Sequence, residues 1–151
     1  MNNIAFNVAL TLLTAFLLPI ISNNSKSAAR FIGPFVLLAM LGFALAYFNM
    51  LEHPIAIALG GFRPPLGITF HLDNLSLLMA CIIPLIMLLL WPYANKEGYR
   101  EESLLLLLAG SASGLALSSD LFNIYVFYEL LSVASFGLAA ANRTGAAFAA
   151  T

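Results

Sequence analysis

The chain has 151 residues, of which 62% are apolar and only 9% charged, with a mean hydropathy of +0.96. A soluble domain carries roughly 25% charged residues, so this composition excludes water as the main solvent. The formal net charge of -1, with Lys and Arg confined to short polar gaps, excludes a nucleic-acid interface, and a single cysteine, Cys81, excludes a disulfide framework or a thiolate metal cluster built from this chain alone.

Reading the apolar runs against the roughly 20 residues needed to cross a hydrocarbon core predicts about five transmembrane helices in an all-α integral membrane bundle. In chain order they are Ile4 to Ser22, Phe31 to Leu51, Leu72 to Tyr93, Ser103 to Ser119 and Leu121 to Asn142. Strand-period alternation is absent from all five, and a lipid-exposed backbone must satisfy its own hydrogen bonds. The first run is not a signal peptide, because no Lys or Arg precedes it and Lys26 and Arg30 follow it. Between the second and third runs, residues 52–71 carry the turn-rich Gly60-Gly61-Phe62-Arg63-Pro64-Pro65-Leu66-Gly67 and are expected to form an external hairpin. Pro84 falls inside the third run, where it should kink the helix. The fourth contains Gly110-Ser111-Ala112-Ser113-Gly114, a small-residue face for close helix packing through Gly110 and Gly114.

Lys26, Arg30, Lys96, Arg100 and Arg143 fall on one side of these spans and Arg63 alone on the other. The positive-inside rule therefore predicts the N-terminus outside and the C-terminus inside.

Glu129 lies eight residues into the fifth run, about 12 Å from its start at 1.5 Å per residue. A central acidic residue costs roughly 2.5 to 3.5 kcal/mol on insertion scales, so the group must be protonated, paired or facing a hydrated cavity. Each of these states is one that a proton relay uses; the alternative is a glutamate that only hydrogen-bonds a neighbouring helix. Helical spacing puts Tyr125, Ser132 and Phe136 on the face of Glu129, either as a stripe that orders water beside the acid or as ordinary interface polarity. Asp73 and Asp120 each open a helix, where capping of free N–H groups is favoured over ion access, though both remain candidates for the external mouth of a path.

His53 and His71 flank the hairpin without a third ligand, so no metal site is expected. Asn142-Arg143-Thr144 fits a glycosylation pattern only formally, since it is expected on the inner side. The sequence contains no phosphate loop, nucleophile elbow or dinucleotide fingerprint. No cofactor and no catalytic chemistry on a soluble substrate are expected, and movement of a proton across the bilayer is the reading that remains.

Two stretches carry a family resemblance. Gly60 to Ile68 followed by Leu72-Asp73-Asn74-Leu75-Ser76 resembles the external loop and third helix of the antiporter-like subunits shared by respiratory complex I, membrane-bound hydrogenases and Mrp cation/proton antiporters. Asp120-Leu121-Phe122-Asn123-Ile124-Tyr125-Val126-Phe127-Tyr128-Glu129-Leu130-Leu131-Ser132 is similar to the fifth helix of that family and puts Glu129 in register with its essential membrane glutamate. The resemblance implies a multi-pass protein of the cell (inner) membrane, with other hydrophobic subunits and lipid as partners and H⁺, with Na⁺ as an optional second ion, as cargo. It also implies membership of an antiporter or of an NADH dehydrogenase-like or hydrogenase-type translocase. The lysine partner of the glutamate lies on a later, broken helix in that family; Lys26 and Lys96 fall in polar gaps and do not replace it. The chain thus resembles the N-terminal third of such a subunit, as a fragment, a split subunit completed by a second chain, or a truncated copy, the first two being favoured. The competing reading is a non-conducting assembly subunit that braces its neighbours through Gly110 and Gly114.

Overall fold

A computed structural model of the chain describes residues 3–24, 26–58, 68–92 and 99–141. Five helices and one strand pair follow in the order α1 (Asn3–Asn24), α2 (Lys26–Met50), β1 (Ile55–Ala58), β2 (Thr69–Leu72), α3 (Asn74–Leu89), α4 (Tyr99–Leu117) and α5 (Leu121–Ala141). Among the described residues, three helices are long and apolar enough to cross a membrane, over Ile4–Ser22, Phe31–Met50 and Leu121–Ala140. The large side chains they expose, such as Phe16, Phe35 and Phe136, are greasy, as a lipid-facing surface requires. The chain is a helical, multi-pass membrane protein.

α4 is the central helix. It packs against α1 and α5 most closely, and also against α3 and α2. Its run of small residues suits that position, because small side chains let neighbouring backbones approach. Gly110, Ser111, Ser113 and Gly114 are all buried.

Two apolar clusters stack along the bundle. Ala15, Leu18, Leu37, Trp91, Leu106 and Ala134 form one. Ile4, Val8, Ile57, Phe70, Leu117 and Phe127 form the other, at the end that carries the strands. Trp91 lies over Gly33 of α2, where any side chain would collide with the indole.

Several boundaries differ from the sequence expectation. The third helix starts at Asn74 rather than Leu72, because Leu72 is the last residue of β2 and Asp73 caps the helix behind it. It ends at Leu89, with Leu90 as C-cap, short of Tyr93. The fourth helix opens earlier, at Tyr99, and closes at Leu117, since Ser118 pairs with Phe70 of β2 instead of continuing the helix. The chain is also not purely helical: β1 and β2 pair antiparallel in the register Ile55↔Leu72 to Ala58↔Thr69. Gly60 to Gly67, Lys96 and residues 142–151, with the glycosylation-like triplet, lie outside the described residues, as do the side chains of Lys26 and Arg30.

Candidate functional site

α5 has an apolar composition on all sides, yet its two faces meet different surroundings. Asn123, Phe127 and Ala134 are 4%, 8% and 0% exposed and recur at helical spacing, so they mark the inward stripe. Phe127 sits over Gly114 of α4 and meets the ring of Phe70 at a centroid distance of 6.2 Å. Residue 129 is two positions further on, about 200° around the axis, and therefore points away from α4.

Glu129 is exposed on that outer face together with Tyr125 and Phe136, with Ser132 half-buried at its edge. Glu129 makes no hydrogen bond or ion pair with the described residues. The structure thus brings Tyr125, Glu129 and Phe136 onto one surface, and none of the other four helices covers it. In hydrocarbon a bare carboxylate there carries the full insertion penalty, whereas a proton, a cation or a hydrated protein surface against this face removes it.

The two aspartates lie at the strand-bearing end, about 14 Å along the axis from Glu129 in the case of Asp120. Asp73 is the N-cap of α3 in a capping box: its Oδ1 accepts from the Ser76 N–H at 2.7 Å, and its own N–H donates to the Ser76 hydroxyl at 2.9 Å. The Ser76 amide, then its hydroxyl, and the neighbouring His71 hold the Asp73 carboxyl below the ordinary value of 3.8. Asp120 uses both oxygens. Oδ1 accepts from the Asn123 N–H at 2.8 Å, capping α5, and Oδ2 accepts from the Thr69 N–H of β2 at 3.0 Å.

Gly110 and Gly114 are close-packing positions, and both are filled from within the chain. A Cβ at Gly110 would meet Leu12 of α1 and one at Gly114 the ring of Phe127. The face expected to brace neighbouring subunits is thus occupied by α1 and α5.

Among the described residues, one buried acidic residue was not singled out in the sequence. Glu102 is 4% exposed in the first turn of α4; the signal was its spacing, three and four residues before the buried Leu105 and Leu106. Polar groups also meet inside the bundle, where the Asn7 side-chain amide donates to the Met40 carbonyl at 3.5 Å and Thr11 donates to the Asn7 carbonyl at 2.9 Å. His53 and His71 are both exposed.

Comparison with known proteins finds no matching family model. The chain is 31% identical over 144 residues to a Staphylococcus aureus (strain JH9) protein provisionally named antiporter subunit mnhD2, covering 91% of this chain and 29% of that protein. Among solved structures, it is similar to a chain of the membrane-bound sulfane sulfur reductase, an archaeal respiratory membrane complex. The TM-score there is 0.84 at 27% identity, covering 96% of this chain and 31% of the other. It is also similar to a chain of the Mrp complex from Dietzia sp. DQ12-45-1b, with a TM-score of 0.76 at 28% identity over 89% of this chain and 26% of the other. The sequence thus spans about three tenths of the length of the relatives it matches. With a relative above 30% identity along nearly all of this chain and the same helix arrangement in chains of two membrane complexes, it corresponds to part of an antiporter-like membrane subunit.

Proposed function

We propose that this chain is a proton-translocating membrane subunit, or part of one, in a multi-subunit cation/proton antiporter or a complex I-like redox pump, with Glu129 as its protonatable relay. In this reading all five helices span the cell (inner) membrane, with the N-terminus and the hairpin outside and the C-terminus inside. H⁺ is the cargo, Na⁺ is a second ion in an antiporter setting, and further hydrophobic subunits complete the path.

The observation that carries the reading is the outward setting of Glu129, some 12 Å into an apolar helix and turned away from every described neighbour. None of the described helices bonds Glu129, so a packing role within these five helices has no support among the described residues. A relay must instead face the surface from which its proton arrives or to which it leaves, and Tyr125 and Ser132 supply hydroxyls one turn to either side.

Glu129→Gln in the intact complex is expected to abolish proton-coupled transport in membrane vesicles while the complex assembles in normal amount. Normal transport in that variant would overturn the proposal. The rival reading, a non-conducting assembly subunit, is weakened because the Gly110 and Gly114 positions are occupied inside the chain.

A further inference from the structure

α5 is held in an unusual way. Among the described elements α4 is the one helix against which it packs extensively, through Phe127 on Gly114 and Leu104 on Gly137. Among the described residues, the roll of α5 about its own axis is set by that packing and by the joint that links it to α4. That roll decides where Glu129 points: with side chains at a radius of about 5 to 6 Å, a roll of about 30° moves the carboxylate by about 3 Å.

Something at the strand-bearing end resists that motion. The joint between α4 and α5 runs beside β2 like a short third strand, with Ser118 bridged to Phe70. The Thr69 carbonyl accepts from the Ser119 N–H at 3.0 Å and from its hydroxyl at 3.0 Å, and the Thr69 and Ser119 hydroxyl oxygens lie 2.8 Å apart, close enough for the Thr69 hydroxyl to donate back to Ser119. The buried Asn123 side chain donates to the Ser118 hydroxyl at 2.8 Å. Asp120 joins the two halves, because one oxygen caps the first turn of α5 at Asn123 and the other takes the Thr69 N–H. Thr69 is 7% and Asn123 4% exposed, so the two ends that Asp120 joins are shielded from water, while Ser119 is exposed.

We infer that Asp120 is a positioning residue for Glu129: its carboxylate locks the roll of α5 to the β1–β2 hairpin and thereby fixes the direction in which the relay faces. The inference rests on the relay reading of Glu129 for its transport consequence, and on the clamp geometry alone for its structural one. It assigns Asp120 a mechanical role distinct from attracting ions by its charge.

Two variants separate those roles. Asp120→Asn keeps an acceptor for the Asn123 N–H, and Asn caps helices about as well as Asp, but its amide group opposes the Thr69 N–H donor to donor. Thr69→Pro removes that N–H, together with the hydroxyl that meets Ser119, and leaves the Asp120 charge in place; the N–H bond lost points at Asp120 rather than at β1, and the first position of a strand tolerates proline. In the assembled complex both variants should lower transport about tenfold to a hundredfold, the scale of a small misplacement of a reacting group. Spin labels at Leu85→Cys on α3 and Ala139→Cys on α5, in a Cys81→Ala background, should show their distance shifted or broadened by about 3 Å in both variants.

Loss of transport with a moved or broadened distance in both supports the clamp. Normal transport in Thr69→Pro beside lost transport in Asp120→Asn would mean that the charge acts and would overturn it, and so would an unchanged distance. If Glu129→Gln transports normally, the relay reading falls and the distance measurement alone decides the clamp.

Discussion

Asp73 and Asp120 occupy equivalent places, each one residue before a helix, yet they do different work. Asp73 is closed on its own helix through Ser76, while Asp120 reaches across 51 positions of sequence to Thr69. The capping of both was legible, because an aspartate ahead of an apolar run is a helix-start signal. The second bond of Asp120 was not, since nothing in local spacing places β2 beside the α4–α5 joint. The depressed Asp73 carboxyl gives a signed expectation. A carboxyl held below 3.8 in the folded chain stabilises it at pH above that value, and this contribution is lost as pH falls through 3.8 towards the lower folded value. Asp73→Asn should therefore flatten the acid limb of the unfolding curve in detergent, and an unchanged limb would contradict the cap's ionic part. Glu129 was legible as an acid at mid-helix, but its direction was not: α5 is apolar on every side, so no hydrophobic stripe in the sequence distinguishes its inner face from its outer one.

At the scale of elements, the same difficulty explains the boundaries that moved. Leu72 lies just ahead of the long apolar run that opens at Leu75, and counting it with that run put it in a helix that the Asp73 cap actually starts at Asn74. For α4 the small residues were visible, while the identity of what they pack against was not, because Leu12 and Phe127 lie in other helices. Replacing Gly114 with leucine forces the Phe127 ring from its place and is expected to cost about 1 to 3 kcal/mol of bundle stability. Thermal unfolding of the purified complex measures this; a wild-type transition would show that α4 and α5 do not rely on that contact.

At the scale of the whole molecule, four helices gather around α4, the strand pair closes one end and the acid-bearing face of α5 is left open among the described residues. Relatives of this chain are much longer, and the matched region is about three tenths of their length, so the open face is where further protein is expected to pack. The proposed orientation makes a simple expectation: with the hairpin outside, His53→Cys should react with an impermeant thiol reagent added to whole cells, and Arg100→Cys only after the membrane is opened. The reverse pattern would invert the topology. Both residues are exposed among the described residues, so nothing in this chain shields them from the reagent.

The central claim is that Glu129 gains and loses a proton during turnover, and infrared difference spectroscopy of the working complex tests it most directly. The account predicts a carbonyl stretch from a protonated carboxylic acid that appears and disappears with turnover and is missing from Glu129→Gln. A turnover spectrum that is identical in the wild-type and Glu129→Gln complexes would contradict it.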